Sequence, residues 1–385
     1  MSTRTVHPFP ARMAPSIALD WVNDVDGSAP LTILDPMCGS GTALSAAHEQ
    51  GHNALGFDMD PLAVKMSRVT TLGLGKVLTD DAVDGILESS TSPLGWWDEE
   101  TEKFAHYWFG KAQHDDLHRI ASGIATLNDA DLKDAAGIAL SKLIVTKAPK
   151  ASLAADTSHS RPHKVQDSSE FDVIAGFRRA ARELALRASP VGSGTVEVHR
   201  GDARKLPLGD GVVDRIVTSP PYLNAIDYLR GHRLSLIWLG HSIPELRAIR
   251  SASIGAERAL SSEASTLAAA MVNELIETAP SPDTLPKSVV LRYAHDMVAL
   301  ARELARVSRG DAEALFVVGN STVRGNFIAN DRLAERAMTH SGFEVKERWE
   351  REIPASRRYL PIKSSNSEVA SRMRTEVVTT YRRCR

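Results

Sequence analysis

Cysteine is nearly missing from this 385-residue chain: Cys38 and Cys384 are the only two. That scarcity excludes a disulfide framework and fits a reducing compartment such as the cytoplasm. Long apolar runs are missing too. None approaches the roughly 18 residues that cross a bilayer, and the N-terminus has no signal-peptide core, so no membrane partner is expected. There is no excess of positive charge: the net charge of −2 argues against a uniformly basic nucleic-acid binder and leaves room for a local basic face. No internal repeat occurs. A hydrophobic content of 43% is enough to build a full core, in one large domain or two.

Among what is present, the stretch from Asp214 to Tyr222 is the most informative. Val212, Val213, Ile216 and Val217 make a short β-branched run that reads as a buried strand. It stops at Ser219-Pro220-Pro221-Tyr222. Consecutive prolines donate no backbone hydrogen bonds and fix φ at about −65°, so a stiff, extended loop must follow. Open α/β sheets place their chemistry on such loops, at the carboxyl ends of strands. The Ser219 hydroxyl, the loop carbonyls and the Tyr222 ring suit a flat ring bearing an amine, which would stack and donate from its NH2.

Upstream, Leu31 to Leu34 reads as a strand and Ala43 to Ala47 as the start of a helix, with Gly39 and Gly41 in the turn between them. Glycine there lets a ligand approach the backbone. The turn, Asp35-Pro36-Met37-Cys38-Gly39-Ser40-Gly41-Thr42, is neither a Walker loop nor a Gly-x-Gly-x-x-Gly fingerprint. A second strand over 54–58 ends at Asp58, placed to accept from both hydroxyls of a ribose. Asp60 reads as an N-cap ahead of Pro61. A third strand, Thr195 to His199, precedes Asp202 and Ala203.

These stretches, in this order, resemble the amino-methyltransferases that methylate the exocyclic amine of a base in DNA. Ser-Pro-Pro-Tyr is similar to that family's catalytic loop, whose first residue is usually Ser in cytosine-N4 enzymes and Asp or Asn in adenine-N6 enzymes. The resemblance implies a Rossmann-like class I methyltransferase fold, with a seven-stranded, mostly parallel sheet and S-adenosylmethionine as cofactor. It implies that Ser219, Pro220, Pro221 and Tyr222 are catalytic. Cofactor contacts are implied for Asp35, Pro36, Cys38, Gly39, Gly41 and Thr42 (amino-acid half), for Asp58 (ribose) and for Asp202 with Ala203 (adenine). His7-Pro8-Phe9-Pro10 is similar to a segment that lies against the cofactor in that family, which makes Phe9 a pocket wall. Double-stranded DNA is the implied partner, with a cognate restriction endonuclease or defence system left open. No metal is required. Cytosine N4 is the favoured target; adenine N6, an RNA base, or a non-catalytic nucleic-acid-binding module are the alternatives.

The chain then divides into residues 1–78 and 191–385, forming the catalytic domain, and a helical insertion over 79–190 that would supply substrate contact. Trp96, Trp97 and Trp108 read as anchors of the insertion rather than base-stacking rings. The spacing of His159 and His163 fails as a metal site because Pro162 breaks the helix between them. Arg161, His163 and Lys164 suit phosphate contact, as do Arg230 and Arg233 on a helix over 229–239, and Arg357 and Arg358 further on. Positions 245 to 286 read as a polar, Ala/Ser-rich loop or surface excursion.

Overall fold

Strand residues in this protein alternate between two apolar faces, and helices cover both. The computed structural model describes residues 6–8, 13–23, 29–187, 192–223, 227–256, 265–278, 281–324, 326–353 and 375–384. Its main sheet has seven strands: β1 (Thr32–Asp35), β2 (Asn53–Asp58), β3 (Val196–Arg200), β4 (Val213–Thr218), β5 (Ser308–Gly319), β6 (Phe343–Glu352) and β7 (Thr375–Arg383). Their order across the sheet is β6-β7-β5-β4-β1-β2-β3. Strands β3, β2, β1, β4 and β5 run parallel, while β7 lies antiparallel between β5 and β6. This is the Rossmann-like sheet expected from the sequence. The chain winds outward from β1 through β2 to β3, then crosses back to β4. The switch point therefore falls between β1 and β4, where such sheets open a crevice at their carboxyl ends.

The period-two pattern explains the layers. Ile33, Val217, Leu315 and Val317 face one way, onto helices α1 (Pro15–Asn23) and α2 (Thr42–Glu49). Leu34, Ile216 and Phe316 face the other way. They meet α11 (Thr266–Thr278), α12 (Lys287–Val307) and α13 (Asn330–His340) through Met271, Met297, Leu300 and Met338.

A third helix, α3 (Pro61–Thr71), follows β2, and five further α-helices lie between it and β3. Helices α4 (Asp80–Glu88), α5 (Glu99–Trp108), α6 (Lys111–Thr126), α7 (Ala130–Ile144) and α8 (Val173–Ala185) precede β3, with a short ribbon pairing Ala154–Ala155 to His163–Lys164. Their apolar faces form one cluster with Leu62 and Met66 of α3 and with helices α9 (Tyr228–Leu236) and α10 (Ile243–Ala252). The indole N–H groups of Trp96 and Trp97 both donate to the Ile237 carbonyl, at 2.8 and 2.7 Å. These tryptophans are anchors. Two arginines of α8 are paired locally, Arg178 with Asp84 and Arg182 with Asp80.

One expectation needs correction. Positions 245 to 286 are not a loop: α10 and α11 occupy much of them, with Ile243, Leu246 and Ile249 buried at helical spacing. The end of β7 is fastened to the turn before β6. Arg383 donates to the carbonyls of Ser341 and Gly342 and lies over the Phe343 ring.

Candidate active site

Asp35 ends β1 and is buried. Its carboxylate accepts from the Met37 amide at 3.2 Å. Burial pushes its pKa up to about 7; the Met37 N–H opposes the rise and the nearby Asp58 charge adds to it. Asp58 ends the adjacent strand and accepts two amides, from Gly39 and from Asp60, both at 2.9 Å. Burial again dominates, followed by the charge of Asp60, and raises its pKa to about 6. The glycine turn is built around these acids. Gly39 has φ of +51° and points its N–H at Asp58. Gly41 has φ of +80°, and a Cβ there would stand 2.9 Å from the Ser67 backbone. Pro36 sits within this turn and Thr42 opens α2. Cys38 is buried, burial holds its thiol well above the ordinary value, and its sulfur accepts from Ser67.

Asp60 caps α3 through the Leu62 amide, as its position before Pro61 led us to expect. It also meets Nδ1 of the buried His232, at 2.5 Å. This contact ties α9 to the end of β2, and no pattern in the sequence pointed to it. His7 is buried nearby, with Nε2 2.8 Å from the Ser141 hydroxyl, and burial pushes its pKa down to about 3.

Asp202 follows β3 and is gripped by Arg204, whose backbone N–H and guanidinium both donate to its carboxylate. That guanidinium also reaches the buried Asp296 of α12 at 2.5 Å. The Asp202 pKa is lowered: burial acts against this shift and the Arg204 hydrogen bonds overcome it. Ala203 beside it is buried. An acceptor role for Asp202 therefore has to share the carboxylate with Arg204.

The Ser-Pro-Pro-Tyr loop leaves β4 at the switch point, beside Asp35. Three contacts hold it. Ser219 Oγ donates to the Val317 carbonyl at 2.8 Å. The hydroxyl of Tyr293, a buried α12 residue, donates to the Pro221 carbonyl at 3.0 Å. The Tyr222 ring packs against Gly319, where a Cβ would come within 2.6 Å of it. Burial, then the charge of Glu376, pushes the Tyr222 pKa up to about 12, against a hydrogen bond with Ser219. A hydroxyl has one proton and two lone pairs, so a Ser219 proton committed to Val317 leaves the oxygen as an acceptor.

Of the basic residues, Arg161 is exposed, His163 meets the Arg161 carbonyl, and Lys164 pairs with Asp167 and lies over Tyr107. The ribbon carrying them is seated on α9: the Ser160 hydroxyl donates to the Tyr228 carbonyl, and Gly231 packs against the Thr157 carbonyl. Arg230 is exposed on α9, whereas Arg233 is half-buried over the Phe104 ring. Phe9, Arg357 and Arg358 lie outside the described residues. Among the described residues no three His, Cys, Asp or Glu side chains converge to hold a metal.

No protein-family model matches the chain. It is 23% identical to the Type II methyltransferase M.MvaI of Kocuria varians, over 94% of this chain and 86% of that protein. Among solved structures, a SAM-dependent methyltransferase of Methanosarcina mazei aligns with a TM-score of 0.33 and 11% identity, over 97% of this chain and 99% of that one. The geranyl diphosphate C-methyltransferase of Streptomyces coelicolor aligns with a TM-score of 0.35 and 10% identity, over 96% and 78%.

Proposed function

We propose that this protein transfers a methyl group from S-adenosylmethionine to the N4 amine of cytosine in double-stranded DNA. The observation that carries the reading is the meeting, at the carboxyl edge of the sheet, of the buried Asp35, the half-buried Asp58 and a Ser-Pro-Pro-Tyr loop whose serine is set to accept. The name of the Kocuria relative accords with it.

The residues fit the cofactor. Neither Asp35 nor Asp58 has a lysine or arginine ion pair among the described residues, and burial raises both pKa values. A cationic ammonium at Asp35 and two ribose hydroxyls at Asp58 would satisfy them. The adenine would lie towards Asp202 and Ala203. When bound, S-adenosylmethionine supplies an electrophilic methyl on a sulfonium. Ser219 and the Pro220 carbonyl accept hydrogen bonds from the cytosine NH2, which favours a more tetrahedral nitrogen with an available lone pair. Tyr222, backed by Gly319, offers a stacking face. The loop's rigidity holds the amine in line, and such positioning is worth up to several orders of magnitude in rate. The target base must leave the duplex to reach this loop, at a cost of about a few kcal/mol.

The test is transfer from labelled S-adenosylmethionine to mixed-sequence duplex DNA, with product nucleosides separated by mass spectrometry. N4-methylcytosine, lost in Ser219→Ala, is the expected result. N6-methyladenine would overturn the base assignment, label on RNA alone would overturn the polymer, and no cofactor affinity at all would leave a non-catalytic module.

A further inference from the structure

The arginines of α9 and α10 lie close enough to one another for their charges to interact. Arg230 and Arg233 lie three apart on α9, and Arg247 and Arg250 three apart on α10, so each pair shares a helix face. Helix α5 brings the two pairs together: Arg233 lies 5.1 Å over the Phe104 ring, and Arg247 pairs with Glu100, one turn before it. Arg250 pairs with Asp227, the N-cap of α9. Four guanidinium groups thus share two carboxylates. Arg230 is exposed with no carboxylate partner among the described residues, and Arg233 Nε is buried without a hydrogen-bond partner. The strain is electrostatic. Burial, then the charge of Arg250, lowers the Arg233 pKa; Arg230 and Arg247 lower it further, against Asp227 alone.

A cluster of like charges on a folded surface is unfavourable until an anion joins it. This one has a defined place. Helix α9 begins six residues after Tyr222, and the end of α10 sits at the adenine corner, where its Ala252 carbonyl accepts from Arg204. The face therefore flanks the carboxyl edge of the sheet, beside the catalytic loop.

We infer that Arg230, Arg233, Arg247 and Arg250 grip the phosphodiester backbone of the DNA substrate next to the extruded base. The inference rests on the DNA reading above and adds the residues that hold the strand. Arginine suits the role because its planar fork matches two phosphate oxygens. The contacts carry no sequence information; they set the register of the duplex over the site.

The experiment measures duplex binding by fluorescence anisotropy for the full chain, from about 50 to 200 mM salt. It compares the unmodified protein with Arg230→Gln, Arg247→Gln and the double variant R230Q/R247Q. Removing one arginine from the phosphate backbone should flatten the log–log salt slope by about 1, and the double variant should flatten it by about 2. Affinity should fall to the same degree on target and unrelated duplexes, with S-adenosylmethionine affinity unchanged. Arg230→Gln has a second readout: removing one of four crowded cations should leave the melting temperature unchanged or raise it, so weaker binding cannot be assigned to unfolding. If the unmodified protein methylates DNA and the variants keep its slope, this inference falls and the function stands. If the unmodified protein neither binds nor methylates duplex DNA, the DNA reading falls and takes the inference with it.

Discussion

Asp35 has a raised pKa in the folded chain, and this has opposite consequences for stability and for binding. Because the folded value of about 7 lies above the unfolded one, the stability this carboxyl contributes is complete below about pH 4 and is lost as pH rises through about 7. Asp58 behaves likewise up to about 6. The ligand-free protein should therefore melt at a lower temperature at pH 8 than at pH 5 through these two groups. Cofactor affinity should run the other way, since the ammonium needs the anion: below about pH 7 it should fall by up to about tenfold per unit. Calorimetric titration at pH 6 and pH 8 checks this, and Asp35→Asn should bind weakly with that step gone. A profile that stays flat in the unmodified protein would remove Asp35 from the ammonium site. Tyr293 gives a second prediction. Tyr293→Phe deletes the donor to the Pro221 carbonyl and should lower kcat about tenfold, with little change in the KM for cofactor, which meets other residues. Tyr381→Phe, which removes a buried hydroxyl from β7 instead, is the control and should spare kcat.

Elements differ in how far their residues announced them. The glycine turn, the acid after β2 and the Pro-Pro loop depend on chemistry confined to a few neighbouring positions, so the sequence carries them openly. Helix α10 was also signalled, by Ser242 three residues before Glu245 and by Ile243, Leu246 and Ile249 at helical spacing; the surrounding polar composition hid it. The hydrogen bond between His232 and Asp60, the Tyr293 contact and the crowding of Arg233 join residues far apart in the chain, and no local pattern encodes such meetings. The seating of the ribbon on α9 is of the same kind and can be tested. A Cβ at Gly231 would stand 2.1 Å from the Thr157 carbonyl, a backbone atom that cannot swing aside. Gly231→Ala should cost about 1–3 kcal/mol in denaturant melts and lift the ribbon that carries Arg161. An unchanged midpoint would mean that the ribbon yields freely.

Across the whole molecule, the helices before β3 share one apolar cluster with α9, and the buried pair of His232 with Asp60 ties α9 to the end of β2. His232→Ala strands a buried carboxylate and should cost about 1–3 kcal/mol, read in the same melts. The position of those helices in the chain also bears on how the protein reaches this structure. They stand between strands that must pair, for β2 joins β3, and β1 joins β4, only across the entire helical segment. Long closures lose chain entropy before any contact offsets it, whereas α4 to α8 assemble from nearby residues. Pulse-labelled hydrogen exchange during refolding should protect amides in α5, α6 and α7 first. The crevice at the switch point then comes into being late, when β4 closes on β1, so a nascent chain carries its helical layer well before it can take up a ligand.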